Sequence, residues 1–206
     1  MNPARRSPGK VEAPPAWPAA VVTVSDRCAR GETEDESGAY LATALREAGF
    51  DAGDAVVIPD DPLKVTRVLL RLVDDQRMRL ILTTGGTGLS PRDTTPEATR
   101  PVLEREAPGI AEALRAASLG KTAHGMLSRG LAGTRGACLI VNLPGSPKAV
   151  REAFEVLAPV LPHALKLLSG APARPADHRP PEAATGPARS AGENPAAADP
   201  TPQGSP

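Results

Sequence analysis

An apolar run leads directly into a glycine-rich segment in Leu80-Ile81-Leu82-Thr83-Thr84-Gly85-Gly86-Thr87-Gly88. Its apolar start predicts a buried strand, and the glycines that follow predict a tight loop. Because glycine has no side chain, backbone amides in this loop can approach an anion closely. A helix is expected to begin around Thr94, and its N-terminal dipole would favour the same anion. The stretch therefore predicts a strand that ends in a phosphate-binding loop.

The glycine loop matches neither of the two common nucleotide-binding signatures. It does not contain the GxxxxGK[ST] pattern of a phosphate loop or the GxGxxG pattern of a dinucleotide turn. An ordinary NTPase and a dehydrogenase therefore lack support, and the loop alone is a weak indication of function.

Strands and helices alternate on the N-terminal side of this loop. Apolar runs at 19–24 and 55–58 predict two further strands, each followed by a helix. Gly49 is expected to stop the first helix, and Asp61 with Pro62 to cap and start the second. The N-terminal part of the chain is therefore predicted to form a β-α-β-α unit.

The C-terminal side continues the pattern. Thr94 and Glu97 are expected to close a capping box, and Pro101 to kink the chain before a helix over 108–118. A hairpin is predicted over 126–134 and 137–142, and a closing helix is predicted from Ser146 and Pro147 onward. The alternation predicts an α/β fold with a mostly parallel sheet covered by helices on both faces.

Four polar segments follow apolar strands of this sheet. They are Ser25-Asp26, Pro59-Asp60, the loop 85–93 and the turn 142–145. Ligands of such folds bind beyond the carboxyl ends of the strands, so a shared ligand site explains all four better than four unrelated turns do. Asp60 and Asp93 would lie beside the phosphate loop, where paired carboxylates suit Mg²⁺. An ordinary loop or capping role is the alternative for an aspartate, and for Asp61 it is the better one.

Composition excludes several classes of function. The chain has 24 basic and 24 acidic residues and 2% aromatic residues, which disfavours nucleic-acid binding. Two isolated cysteines and three scattered histidines do not suggest a zinc or iron-sulfur site. No apolar run reaches membrane-spanning length, so the cytoplasm is the expected location. Residues 1–16 and 171–206 have the composition of disordered arms, and one domain is expected over 17–170.

Six motifs in this order resemble those of the MoaB/Mog family of molybdenum-cofactor biosynthesis proteins. They are Val24-Ser25-Asp26-Arg27, Pro59-Asp60-Asp61, Thr84-Gly85-Gly86-Thr87-Gly88, Arg92-Asp93-Thr94-Thr95-Pro96, Leu127-Ser128-Arg129 and Asn142-Leu143-Pro144-Gly145. The resemblance covers nearly the whole predicted core. It implies a three-layer α/β/α molybdopterin-binding fold, commonly a homotrimer.

The resemblance also implies a reaction, the adenylylation of molybdopterin by Mg-ATP with release of pyrophosphate. By this resemblance Asp60 and Asp93 are the essential acidic residues, which would bind Mg²⁺ and position the triphosphate. The implied nucleotide and substrate-binding residues are Ser25, Asp26, Gly85, Gly86, Thr87, Gly88, Ser128, Arg129, Asn142, Pro144 and Gly145. The product would pass to a separate molybdate-insertion protein, since the chain has no room for that domain.

Two alternatives stay open on the sequence. A non-catalytic relative would bind molybdopterin and deliver it to a partner, because the same fold also serves as a binding module. An unrelated phosphate-binding scaffold would require the ordered motifs to be coincidental. The sequence does not decide between turnover and binding, between molybdate and tungstate, or where a trimer interface lies.

Overall fold

Parallel strands form the centre of the molecule, as the alternation of strands and helices predicts. The computed structural model describes residues 16–170. The described strands are β1 (Pro18–Val24), β2 (Asp51–Ala52), β3 (Val56–Ile58), β4 (Leu80–Thr84), β5 (Arg105–Glu106), β6 (Ala132–Arg135) and β7 (Cys138–Leu143). Their order is β2-β1-β4-β7-β6-β5, with β3 also paired to β1. The pairings among β1, β2, β3, β4 and β7 are parallel, and those of β5 and β6 are antiparallel.

Helices cover both faces of this sheet. The α-helices are α1 (Asp26–Ala29), α2 (Glu36–Glu47), α3 (Pro62–Leu70), α4 (Thr95–Thr99), α5 (Pro108–Leu119), α6 (Pro147–Leu157) and α7 (Leu161–Leu168). A π-helical turn over Arg71–Asp75 extends α3, and 3₁₀ turns span Arg100–Val102, Ala123–Leu127 and Ala158–Val160. None of the helices over residues 16–170 combines the length and the hydropathy that a membrane span requires.

Alternate residues of each central strand enter two separate cores. Val21 and Leu82 pack in a cluster with α2, α6 and α7, whereas Val22 and Ile81 pack in a second cluster with α3 and α4. All four side chains are at most 1% exposed. Burying an aliphatic side chain of this size contributes about 1.5–3 kcal/mol to stability. Because helices cover both faces of the sheet, consecutive residues of a central strand are buried, which favours apolar side chains at neighbouring positions. The three-layer α/β/α architecture expected from the sequence is confirmed.

Strand register brings the ends of the parallel strands to one level. Thr84 at the end of β4 pairs with Thr23 of β1 and with Leu143 of β7, and Val24 pairs with Ile58 at the end of β3. The residues that follow β1, β3, β4 and β7 therefore emerge side by side at one edge of the sheet. This edge is called the carboxyl edge below.

Most of the predicted elements are confirmed, with local differences. A one-turn helix, α1, begins within the polar segment that follows β1, because the Ser25 side chain caps it by accepting a hydrogen bond from the Cys28 amide. The two short strands β2 and β5 lack the apolar run that reveals longer strands. Cys138 is buried as a free thiol, and burial raises its pKa to about 12.

One sequence prediction near the glycine loop is wrong, and the predicted hairpin forms with a shorter first strand. Thr94 precedes α4, but its side chain makes no capping hydrogen bond, and Glu97 pairs with Arg129 instead of closing a capping box. The first strand of the predicted hairpin is shorter than expected, because residues Ala123–Leu127 form a 3₁₀ turn and β6 begins only at Ala132. The backbone amide of Arg129 donates to Thr87 O at 2.9 Å, so this segment is tied to the glycine loop before it enters the sheet.

The predictions about terminal arms concern residues 1–16 and 171–206. Apart from Ala16, all of these residues lie outside the described range. Both arms and the domain bounds 17–170 therefore stay predictions.

The cap of α3 gives a stability test. Asp61 Oδ1 accepts hydrogen bonds from the Leu63 and Lys64 amides, at 2.9 and 3.2 Å. We expect Asp61→Ala to lower the free energy of unfolding by about 1 kcal/mol, because both amides lose their acceptor at the helix terminus. Urea denaturation monitored by circular dichroism measures this difference.

Asp54→Ala is the matched control. The Asp54 side chain is 98% exposed and pairs only with the exposed Arg46, so its removal should leave stability nearly unchanged. Equal losses in the two variants would contradict a specific capping role for Asp61.

Candidate functional site

Asp26 and Asp60 are joined by two reciprocal hydrogen bonds at the carboxyl edge. The Asp26 amide donates to Asp60 Oδ2 at 2.8 Å, and the Asp60 amide donates to Asp26 Oδ1 at 3.1 Å. The Ser25 amide adds a bond to Ile58 O at 2.9 Å, which continues the pairing of β1 and β3 beyond their ends. These backbone bonds fix two carboxylates next to each other, although like charges repel.

Arg92 reaches this pair from the loop after β4. Its guanidinium donates to Asp26 Oδ2, and the two side chains form an ion pair. Loss of hydration acts to raise the pKa of Asp26, but the hydrogen bonds from Arg92 and the Asp60 amide outweigh it, and the pKa lies below its ordinary value. Asp26 is therefore ionised at neutral pH, and its carboxylate oxygens accept hydrogen bonds from Arg92 and the Asp60 amide.

Asp60 has the opposite electrostatic balance. Burial raises the pKa of its carboxyl, and the charges of Asp26 and Asp93 add to that increase. The hydrogen bond from the Asp26 amide and the charge of Arg92 offset only part of it. An ionised Asp60 is thus costly in the unliganded site, and a bound cation would relieve that cost.

The glycine loop passes very close to β1. Gly85 has φ +97°, and a β-carbon there would lie 2.2 Å from Val24 O. Gly86 has φ +62°, and a β-carbon there would lie 2.3 Å from Thr95 Oγ1. Side chains do not fit at either position, so the glycines are required by the path of the backbone and not only by a ligand.

Three consecutive amides of this loop have no acceptor. Within residues 16–170, the amides of Gly86, Thr87 and Gly88 make no hydrogen bond to the protein, whereas the Gly85 amide donates to Leu143 O at 3.3 Å. Successive unpaired amides in a turn with positive φ angles form a concavity that suits an anion. The helix that follows, α4, has only five residues, so the dipole contribution expected from the sequence is small.

Asp93 lies against the same loop. Its Oδ2 accepts a hydrogen bond from the Ser90 amide at 3.0 Å, and a β-carbon on Gly88 would lie 2.9 Å from that oxygen. Asp60 lies on the other side, since a β-carbon on Gly86 would be 3.2 Å from Asp60 Oδ1. The two predicted acidic residues therefore flank the unpaired amides, and the structure brings them together.

Arg129 supports the loop from behind. Its Nε donates to Gly88 O at 2.7 Å, and its other nitrogens reach Asp93 O and Glu97. Arg129 therefore positions the glycine loop and Asp93. Its contact with a ligand stays a prediction.

Asn142 has a similar internal role. Its Nδ2 donates to Thr83 and Thr99, at 2.9 and 3.0 Å, and its Oδ1 accepts from the Leu131 amide at 3.1 Å. The residue is 4% exposed. These bonds join β7, β4, α4 and the chain leading into β6, so the Asn142 side chain holds the site together from within the core.

The turn after β7 separates the glycine loop from a cavity of about 460 Å³. Pro144 lines the cavity, and its carbonyl accepts a hydrogen bond from Thr84 Oγ1 at 2.7 Å. On the other side of this turn, a β-carbon on Gly145 would lie 3.1 Å from Gly85 Cα. Polar residues of α5, of α6 with its N-cap and of the segment between α5 and β6 line the cavity, including Arg115, Lys121, Ser128, Ser146, Lys148 and Glu152.

Mg²⁺ fits the residues at the loop, although they do not form a complete cage. Among residues 16–170 there is no group of three or more His, Cys, Asp or Glu side chains arranged to hold a metal. Mg²⁺ commonly binds one or two protein carboxylates and completes its shell with phosphate oxygens and water. Asp60 and Asp93, with like charges crowded beside an anion cradle, have the chemistry for that kind of site.

Sequence reasoning missed two residues at this edge. Arg92 and Thr95 both stand in the motif that drew attention to Asp93, but neither was assigned a role in the site. The signal was present for Arg92, because a cation beside essential acidic positions is electrostatically informative. Thr95 carries no such signal, since its significance depends on contact with Gly86, which is distant in sequence.

The chain matches a known protein family and is similar in sequence to several of its relatives. A family model described as "Probable molybdopterin binding domain" matches residues 20–163. The chain is 42% identical over 150 residues to the molybdenum cofactor synthesis protein cinnamon of Drosophila melanogaster, covering 72% of this chain but 25% of that protein. It is 37% identical over 152 residues to the molybdopterin adenylyltransferase of Helicobacter pylori strain J99, covering 73% of this chain and 86% of that protein.

A solved structure agrees with the sequence matches. The molybdopterin biosynthesis enzyme MoaB of Thermus thermophilus superposes with a TM-score of 0.68 at 49% identity. The match covers 76% of this chain and 98% of that structure. The similarity therefore extends over the sheet, its helices and the loops of the carboxyl edge.

The raised pKa of Asp60 gives a pH-dependent prediction. In the folded protein without metal, ionised Asp60 is disfavoured, so its contribution to stability falls as pH rises from the ordinary aspartate range through the raised value. Asn at this position still accepts the hydrogen bond from Asp26 but carries no charge. We expect Asp60→Asn to melt at a higher temperature than the wild type at pH 7, with the difference shrinking toward about pH 4.

Calorimetry in EDTA between pH 4 and 8 measures this effect. Asp54→Asn, at an exposed position, is the control and should follow the wild type at every pH. An Asp60→Asn protein that is less stable than the wild type at pH 7 would show that the crowded charges are not a cost.

Proposed function

The chain belongs to the family of probable molybdopterin-binding domains, and from this premise we propose that it is a molybdopterin adenylyltransferase. The observation that carries the proposal is the row of unpaired amides at 86–88 flanked by Asp60 and Asp93. The name and the 86% coverage of the Helicobacter pylori relative support the same activity. The chain spans only about a quarter of the Drosophila melanogaster relative, so the activity of this chain rests on its own site.

The proposed reaction is a phosphoryl substitution at the α-phosphate of ATP. An oxygen of the terminal phosphate of molybdopterin attacks the α-phosphorus, and a new P–O–P bond forms. The bond between the α-phosphorus and the oxygen bridging to the β-phosphate breaks, and pyrophosphate leaves with that electron pair. Because a phosphate monoester is already ionised at neutral pH, no general base is needed.

The protein contributes mainly position and electrostatics. Amides 86–88 would donate to phosphate oxygens without any reorganisation, since no protein acceptor within the described range competes for them. Asp60 and Asp93 would hold Mg²⁺ at the triphosphate, and the metal, when bound, would neutralise charge that develops on the leaving pyrophosphate. Asp26, which follows β1, holds Asp60 through reciprocal backbone bonds and also anchors Arg92, and the Ser25 amide ties this segment to Ile58 O.

The cavity beyond β7 is the proposed site of the pterin. Its volume of about 460 Å³ lies in the range of small-molecule sites, and its lining includes Ser128 and Pro144. Lys148 supplies positive charge for a phosphorylated ligand, whereas Lys121 pairs with Glu152 of the same lining. The Pro144-Gly145 turn lies between this cavity and the glycine loop, where the phosphate of the pterin would meet the α-phosphate of ATP.

Three further expectations from the sequence stay predictions. They are a homotrimeric assembly, a cytoplasmic location and transfer of the product to a molybdate-insertion protein. None of them rests on contacts within residues 16–170.

The test of activity is direct. Purified protein is mixed with molybdopterin, ATP and Mg²⁺, and both pyrophosphate and adenylylated pterin are followed, with EDTA as the metal control. Metal-dependent formation of both products in equal amounts is expected. Tight pterin binding without either product would instead favour the binding-module function, and failure to bind pterin would contradict both functions.

The acidic residues give a sharper prediction. We expect Asp60→Asn and Asp93→Asn each to lower turnover by roughly 100-fold or more, because metal-assisted charge stabilisation is worth several kcal/mol. Initial rates at saturating ATP and a range of Mg²⁺ concentrations measure the loss. Asp61→Asn is the matched control, since Asn still caps α3 and this side chain faces the helix terminus. Near-normal rates in either site variant would remove that residue from the proposed metal site.

A further inference from the structure

Thr95 has a buried hydroxyl that the proposed function does not yet use. Its Oγ1 is one of three buried side-chain polar atoms in the described chain without a hydrogen-bond partner, and the residue is 0% exposed. The other two atoms belong to Arg79, which precedes β4 and so lies at the opposite edge of the sheet. An unpaired buried polar group is costly, and native structures contain few of them.

The hydroxyl lies at the glycine loop. A β-carbon on Gly86 would be 2.3 Å from Thr95 Oγ1 and 3.2 Å from Asp60 Oδ1, so both oxygens border the small space left by the missing side chain. The Thr95 amide donates to Gly86 O at 3.1 Å, which holds the residue against the loop. The hydroxyl is thus placed by backbone contacts, independently of any bond it makes itself.

One carboxylate oxygen of Asp60 accepts no hydrogen bond from the described part of the protein. Its Oδ2 accepts from the Asp26 amide, but within residues 16–170 no protein group donates to its Oδ1. An unpaired donor and an unpaired carboxylate oxygen therefore border the same space. Carboxylates that bind metal ions are commonly oriented by such hydrogen bonds, and losing one typically costs about 10–100-fold in metal affinity.

We propose that Thr95 is a positioning residue for the cation site, and that its hydroxyl donates to Asp60 Oδ1 when the cation binds. This inference rests on the proposed function, because it assumes that Asp60 holds a divalent cation. The bond would fix one oxygen of the carboxylate and leave its remaining lone pairs available to the cation. The bond would also give the buried Thr95 hydroxyl an acceptor. The free-energy cost of burying that hydroxyl would therefore be offset only when the cation is bound.

The inference separates cation binding from stability. Thr95→Val is nearly isosteric and removes the orphaned hydroxyl, so the variant should melt at the same temperature as the wild type or higher. Its affinity for Mn²⁺, used as a probe with α,β-methylene-ATP and measured by electron paramagnetic resonance, should fall about 10-fold or more. Thr95→Ser keeps the hydroxyl and should restore most of the affinity.

Thr66→Val is the matched control. Thr66 Oγ1 donates to Ala98 O of α4 at 2.8 Å, so this variant also disturbs the packing of α4 but leaves the loop untouched. It should lower the melting temperature and bind Mn²⁺ like the wild type. Thr95→Ala provides the same loss of the hydroxyl if Thr95→Val does not fold.

The outcomes of this experiment are distinct. Weaker Mn²⁺ binding in Thr95→Val with unchanged or higher stability and recovery in Thr95→Ser supports the inference, as does a fall in kcat that excess Mn²⁺ reverses. Wild-type Mn²⁺ affinity in Thr95→Val overturns it and leaves the proposed function intact. Absence of Mn²⁺ binding by the wild type itself overturns the cation site and this inference with it.

Discussion

The common end level of four parallel strands is the constraint on which the candidate site depends. Register places the last residues of β3, β1, β4 and β7 side by side, and the chain then turns away at each end. Gly85 packs directly on Val24 O, and Gly145 packs on Gly85. A side chain at Gly85 would separate β1 from β4 at that edge, and the carboxylates and amides of the site would no longer converge.

The site contains unfavourable interactions between polar groups, which the surrounding structure holds in place. Asp26, Asp60 and Asp93 are close enough for the pKa of Asp60 to rise, and the buried Thr95 hydroxyl lacks a partner. Two well-packed cores and the internal bonds of Asn142 and Arg129 hold the arrangement in place. Such costs are expected where a protein is preorganised for a charged ligand, because the ligand then supplies the missing interactions.

Local sequence signals predicted much of this architecture. The apolar runs identified the central strands, and Asp61 with Pro62 identified the start of α3, because each depends on residues near one another in the chain. Convergence of the four polar segments followed from the topology of parallel sheets. The predictions that differ from the structure involve residues far apart in sequence. Glu97 pairs with Arg129 and not with Thr94, and the segment before β6 is hydrogen-bonded to Thr87 O. The internal roles of Asn142 and Arg129 are equally invisible without their partners in space.

We expect the carboxyl edge to bind the triphosphate between the glycine loop and the two aspartates. A crystal structure of the full chain with α,β-methylene-ATP and Mg²⁺ would show where the triphosphate lies. We expect phosphate oxygens within hydrogen-bonding distance of amides 86–88 and a metal ion bound by Asp60 and Asp93. A triphosphate held elsewhere, for example in the cavity between α5 and α6, or a metal ion without either carboxylate, would contradict it.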